Sequence, residues 1–335
     1  MHFGPVPLTL AAGAILAHSV PLPDGRLRKG VTLGPAEIAR LTAAGLAEVT
    51  VARLSPEDLH EDAAALAVAR ALVPDPLALG LTLRPVGTGR VNIHAAAPGV
   101  MQVLENRVRD LNSVDPMITL ATVAPWQRLA QDEMAATVKI ISYGVAASAV
   151  ARACAAAGGA MALHPAQLKQ AVLIQTTVGG SDTGKGQRSI ANRLRALGVT
   201  LAPPVTVAHH EAALAQAIGQ AAGAELILIL TASATSDPMD VAPQALRLAG
   251  GTVERFGMPV DPGNLLFLGH LGATPVIGLP GCVKSPALNG ADWVMERLIC
   301  GVPVTPADIA AMGTGGLLKE SPARGRPRQA SADHD

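Results

Sequence analysis

Four stretches in the second half of the chain gather the residue types that handle small polar ligands. The first reads GGSDTGKG over residues 179–186, between a short apolar run and an amphipathic segment. Its glycines, Gly180 among them, let backbone N–H groups approach an anion, and the start of a following helix favours negative charge. Ser181, Asp182 and Lys185 add a hydroxyl, a carboxylate and an ammonium group. The stretch falls one residue short of the phosphate-binding pattern G-x-x-x-x-G-K-[ST], because Gly186 stands where a hydroxyl would hold Mg²⁺. A nucleotide loop, an anion cradle and a solvated turn are all readings of these residues.

The second stretch, TASATSDPMD over 231–240, leaves the most apolar run of the chain. Thr231, Ser233, Thr235 and Ser236 offer hydroxyls that can wrap a polar ligand closely. Asp237 and Asp240 offer carboxylates, and either is equally suited to cap the helix that follows. The third, MPVDPGN over 258–264, is a turn by composition and contains Pro262, Gly263 and Asn264. The fourth, GLPGCVKSP over 278–286, supplies Gly278, Pro280 and Gly281, then Lys284 and Ser285. Lys284 suits an anion, or is a surface lysine. Cys282 reads as a small loop residue, since no histidine is near it in sequence to activate a thiolate. None of the nine histidines falls at a metal-ligand spacing. His209 and His210 are adjacent, would diverge at a strand-to-helix junction, and read as surface residues.

The elements that must position these loops show from about residue 171 onward. Strand-like runs at 172–176, 205–208, 225–230, 253–256, 265–268 and 276–278 alternate with helical patterns at 187–197, 211–222, 241–249 and 286–300. Continuous apolar strands between amphipathic helices indicate an α/β unit with a parallel sheet covered on both faces. Such sheets take ligands at loops beyond the strands' carboxyl ends. Residues 1–165 read instead as an α+β region, with helical patterns at 36–44, 61–72 and 145–157 among short β-like runs. The segment 319–335 has too little apolar content to fold and is expected to be disordered.

Bulk properties narrow the function classes. Lys+Arg and Asp+Glu both number 26, which leaves no electrostatic footprint for nucleic acid or an acidic membrane. Only 2% of residues are aromatic against 49% hydrophobic, so the core is aliphatic. The three cysteines form no close pair, and a reducing cytoplasm is the expected location. The first twenty residues hold neither a basic leader nor an unbroken apolar run, so neither a signal peptide nor a membrane span is expected.

Taken in order, the loops resemble the molybdopterin-binding domain shared by bacterial molybdopterin adenylyltransferases and molybdopterin molybdotransferases. In that family a strand ends in T-G-G-x-G, with an Asp a few residues on; Thr231 to Asp240 stands in this arrangement. A P-G-K-P stretch and then G-L-P-G-N-P follow, matched here by Pro262, Gly263 and Asn264 and by the GLPGC residues from Gly278. The stretch from Gly13 through Lys29-Gly30 to Val51 is similar to the molybdotransferase N-terminal region. The resemblance implies molybdopterin or molybdenum cofactor as ligand, with its phosphate on backbone N–H groups near Gly180–Lys185 and 232–236. It implies Asp240, with Asp182, as the carboxylates that orient a metal such as Mg²⁺ and carry any transfer, and Lys284 as the neutralising cation. It also implies a homodimer. The chain further resembles the binding half of fusion proteins carrying a nucleotidyltransferase, a half that a separate nucleotidyltransferase or molybdoenzyme maturation factor would here supply. The departures are specific: Ala232-Ser233 replace a glycine pair, Asn264 a lysine and Cys282 an asparagine, while Asp182 is displaced by about two positions. A lost carboxylate would weaken adenylyl or molybdate transfer and leave binding intact.

Overall fold

The computed structural model describes residues 1–179 and 183–318. Two compact units divide the chain: 1–97 with 101–163, and 98–100 with the residues from 164 on. In the first unit, strand Glu48–Arg53 pairs antiparallel with His2–Pro7 on one side and Ile15–Leu16 on the other. Strand Val20–Leu22 turns away to pair with Gly25–Leu27. Helix Pro35–Ala43 completes a small core of Leu8, Leu16, Leu33, Leu41 and Val51. The remainder of this unit is built around a four-stranded antiparallel sheet in the order 118–122, 134–140, 90–95, 81–87. Alternate side chains of strand Arg90–Ala95 enter a core shared with helices Glu61–Leu72 and Ala147–Ala157, the two-residue period of a sheet with one face solvated.

The second unit carries the candidate loops, and its elements are labelled here. Strands are β1 (Gln170–Thr177), β2 (Thr200–Leu201), β3 (Val205–Ala208), β4 (Ile227–Leu230), β5 (Thr252–Phe256), β6 (Phe267–Leu271) and β7 (Thr274–Leu279). Helices are α1 (Gly184–Arg195), α2 (Glu211–Gln220), α3 (Val241–Leu248), α4 (Gly290–Ile299) and α5 (Pro306–Ala311). The sheet runs β2-β1-β4-β7-β6-β5, and β3 pairs with the same edge of β1 as β2. Strands β2, β3, β1, β4 and β7 are mutually parallel. Strand β6 runs antiparallel to β7, since only Gly272 and Ala273 separate them, too short for a crossover, and β5 pairs antiparallel with β6.

All four residues of β4 are buried, as an interior strand covered on both faces requires. Ile227 and Ile229 face a cluster built with Leu214 and Ile218 of α2 and Leu246 of α3. Leu230 faces the other way, toward α1: a side chain on Gly186 would begin 2.6 Å from its Cδ2. The helix expected over 286–300 starts later, at Gly290, where Asn289 caps it and exchanges a capping box with Asp292. Residues Gly281–Lys284 form a 3-10 turn instead. No helix among the described residues is long and apolar enough to cross a membrane.

Candidate functional site

The register of the parallel strands builds one edge. Gln175 lies opposite Leu230, Leu230 opposite Leu279, and Thr177 opposite Ala208. The residues following β1, β3, β4 and β7 therefore emerge together at the carboxyl edge, where open α/β sheets take ligands. Of the first sequence stretch, Gly180, Ser181 and Asp182 lie outside the described residues. Lys185 is exposed in the first turn of α1.

That first turn is seated closely on the sheet. Gly186 is buried, and a Cβ there would meet Leu230 Cδ2 at 2.6 Å and Gln175 Nε2 at 3.1 Å. The position that lacks the phosphate-loop hydroxyl is thus a close approach of helix to strand. Lys284 reaches the same place from the 3-10 turn after β7, with its Cγ 3.8 Å from the Gly186 Cβ position. The stem of Lys284 thus lies beside the first turn of α1, the turn that carries Lys185. Gln175, 3% exposed, donates from Nε2 to the Thr183 carbonyl at 3.1 Å. Its Oε1 is buried without a partner among the described residues.

The loop after β4 folds back on itself. Thr231 Oγ1 donates to the Ser233 carbonyl at 2.6 Å and lies 3.3 Å from Thr235 Oγ1, and both threonines are buried. Ser233, Ser236 and Asp237 are exposed, and Asp237 Oδ1 accepts the Met239 N–H at 2.7 Å. Asp240 is the N-cap of α3: Oδ1 accepts from Val241 N at 2.7 Å and Oδ2 from Ser236 N at 3.1 Å. Oδ1 thus caps α3 while Oδ2 holds the loop, and neither contact excludes a ligand, because each carboxylate oxygen can accept more than one hydrogen bond. Among the described residues, no three His, Cys, Asp or Glu side chains gather as metal ligands would.

Two glycine-rich stretches act differently from expectation. Gly278 lies inside β7, not in the turn, and a Cβ there would fall 1.9 Å from Cε1 of Phe267. Its place is taken by that ring, so it serves packing. Pro262 and Gly263 are buried against the start of α4, where the Pro262 carbonyl accepts the Gly290 N–H at 2.8 Å. Gly263 holds φ +147°, and a side chain would begin 2.9 Å from Gly290 N, so glycine is required there. Asn264 is exposed and donates from Nδ2 to the Met258 carbonyl at 3.4 Å, closing this brace. Pro280 is buried, while Gly281 and Ser285 are exposed at either end of the 3-10 turn.

Sequence reasoning missed the residues that hold the loop after β7. Arg193 of α1 donates from Nε to Asp292 Oδ1 of α4 at 2.5 Å, and both side chains are nearly buried. The same guanidinium donates to the carbonyls of Val283 at 3.1 Å and of Ser285 and Ala287, each at 2.9 Å. It also bonds Ser189 Oγ, which donates to the Val283 carbonyl at 2.8 Å. One planar fork thus fixes the segment bearing Lys284 and Ser285 against α1. His209 is a second omission. Its Nδ1 lies 2.9 Å from Thr176 Oγ1, which accepts the Ala232 N–H at 2.9 Å. Neither could be found from local spacing, because each partner comes from another strand end or helix.

The fold and edge together define an α/β unit with hydroxyl, amide and ammonium groups at the carboxyl ends of parallel strands. Residues 5–53 match a family model described as Domain of unknown function (DUF8806). No curated protein matches the chain. Among solved structures, the chain is similar to a molybdopterin biosynthesis MoeA protein from Pyrococcus horikosii, at 12% identity and TM-score 0.31, covering 90% of this chain and 75% of that one. It is similar to MogA at 23% identity and TM-score 0.28, covering 39% of this chain and 91% of that one. A further molybdopterin biosynthesis MoeA structure, from Pyrococcus horikoshii OT3, has 10% identity and TM-score 0.25 over 90% of this chain and 76% of that one.

Proposed function

We propose that this protein binds molybdopterin or the molybdenum cofactor at the carboxyl edge of its mixed sheet, in the biosynthesis, maturation or delivery of that cofactor. The observation that supports this best is the meeting of Lys284 with the first turn of α1 beside the ends of β1, β4 and β7. A helix N-terminus with lysines beside it suits a terminal phosphate. The exposed hydroxyls of Ser233 and Ser236 suit polar pterin edges. Gln175 Oε1, without a partner among the described residues, is an acceptor that a ligand N–H or a water would satisfy.

Binding needs only these groups. Adenylyl or molybdate transfer would also need a carboxylate aimed at the reacting group, and Asp240 already accepts two backbone N–H groups. Cargo bound this way would pass to a separate nucleotidyltransferase or a maturation factor. The nucleotide-loop reading is disfavoured sterically, since a serine at position 186 would meet Leu230.

The test is titration with molybdopterin, its adenylated form and Mg-ATP in parallel. Molybdopterin should bind, and Lys284→Ala should weaken it about tenfold or more, the scale of one charged hydrogen bond. Protein that ignores every pterin form while binding Mg-ATP, with that binding lost in Lys185→Ala, overturns the proposal.

A further inference from the structure

We propose that His209 is a ligand-binding residue of this edge, offering its Nε2–H to an anionic or carbonyl oxygen of the bound ligand. The inference deepens the cofactor-binding reading above and rests on it. Its basis is the order of donors and acceptors around Thr176, whose side chain is 3% exposed. A hydroxyl has one proton to give and two lone pairs to fill. One lone pair of Thr176 Oγ1 takes the Ala232 N–H at 2.9 Å, and Nδ1 of His209 lies 2.9 Å away.

If Nδ1 carried the ring proton, the buried hydroxyl proton would have no acceptor and would bear the cost of an unmade bond. If Nδ1 is the acceptor, both groups are satisfied. The neutral ring then carries its proton on Nε2, on the side turned away from Thr176. That nitrogen has no partner among the described residues. The backbone is pinned too, since His209 N donates to the Thr177 carbonyl at 3.0 Å. The half-buried ring therefore stands at the end of β3, in the row of strand ends that frames the edge.

The neighbouring His210 shows the contrast. Its Nδ1 accepts the Ala212 N–H at 3.2 Å, and the exposed ring caps α2. Of two adjacent histidines, one finishes a helix and the other is held by a buried relay with a donor left over. The relay also ties His209 to Ala232, at the entrance of the hydroxyl loop after β4, so the ring and that loop are fixed relative to one another.

The experiment combines nitrogen NMR of the histidine rings with molybdopterin titration of the full chain. In the free protein His209 should show the Nε2–H tautomer, and its Nε2 signal should move on adding molybdopterin. His209→Phe should weaken molybdopterin binding about ten- to a hundredfold, the scale of one hydrogen bond to a charged group, in protein still folded at the assay temperature, although the stranded Thr176 hydroxyl lowers its unfolding midpoint. His209→Gln should recover part of the loss, and Thr176→Val should abolish the tautomer preference. An Nδ1–H tautomer, or unchanged affinity in His209→Phe, overturns this inference and leaves the cofactor reading standing. Wild-type protein with no affinity for molybdopterin overturns both.

Discussion

Replacing Arg193 with methionine removes the fork that ties the loop after β7 to α1 and keeps much of its stem. The ion pair to Asp292 is short, at 2.5 Å, and its side chains are only 11% and 7% exposed. Breaking such a pair strands a charge, at about 3–5 kcal/mol. The carbonyls of Ser285 and Ala287 lie at exposed residues and regain water, so they add little. The lower end, about 3 kcal/mol, is therefore expected, because neither partner is wholly enclosed. Asp292→Asn in the same chain keeps an oxygen for the Asn289 N–H, which it now accepts at 2.8 Å, and removes the stranded charge. The double variant should recover more than half of the loss. Urea unfolding read by Trp293 of α4, in a Trp126→Phe background, isolates the second unit. A loss below about 1 kcal/mol in Arg193→Met, the range of an exposed pair, or no recovery in the double variant, would refute a buried clamp.

Two further outcomes follow from the same sheet. Gly278→Ala should destabilise this unit by about 1–3 kcal/mol through overpacking, because the new Cβ falls within 2.1 Å of two ring carbons of a fully buried Phe267; Phe267→Leu in the same chain should restore much of it in urea titrations. Backbone N–H groups of Gln170 and Lys169 hold the Glu225 carboxyl below its usual range. Its ionised form therefore stabilises the fold above the ordinary carboxylate pKa of about 4.3, and that contribution fades as pH falls through the lowered folded value. Glu225→Gln should accordingly unfold earlier than wild type at neutral pH and converge with it in acid, as paired melting curves across pH would show; a gap that widens in acid would be inconsistent with the lowered carboxyl.

The alternation of apolar runs and helical patterns from residue 171 was legible because a buried strand and an amphipathic helix each leave a local period in the chain. The loops at 231–240 and 280–285 could be placed on the ligand edge for the same reason, since parallel strands put their carboxyl ends together. What local pattern could not separate was strand direction: β6 is apolar like its neighbour β7, and only pairing shows the two antiparallel. Asp240 was equally readable as ligand or cap, and its cap shows only where Oδ1 meets Val241 N.

By itself the sequence determined an α/β unit, the order of its loops and the hydroxyl, carboxylate and ammonium groups they offer. Tertiary structure alone decided how those groups are held: Gly278 as space for Phe267, Arg193 clasping Asp292 across 99 residues, and Thr176 joining His209 to Ala232. Each of these is a contact between segments distant in the chain. Such contacts leave no period in either segment, because the partner that gives each residue its role is supplied only when the sheet has formed.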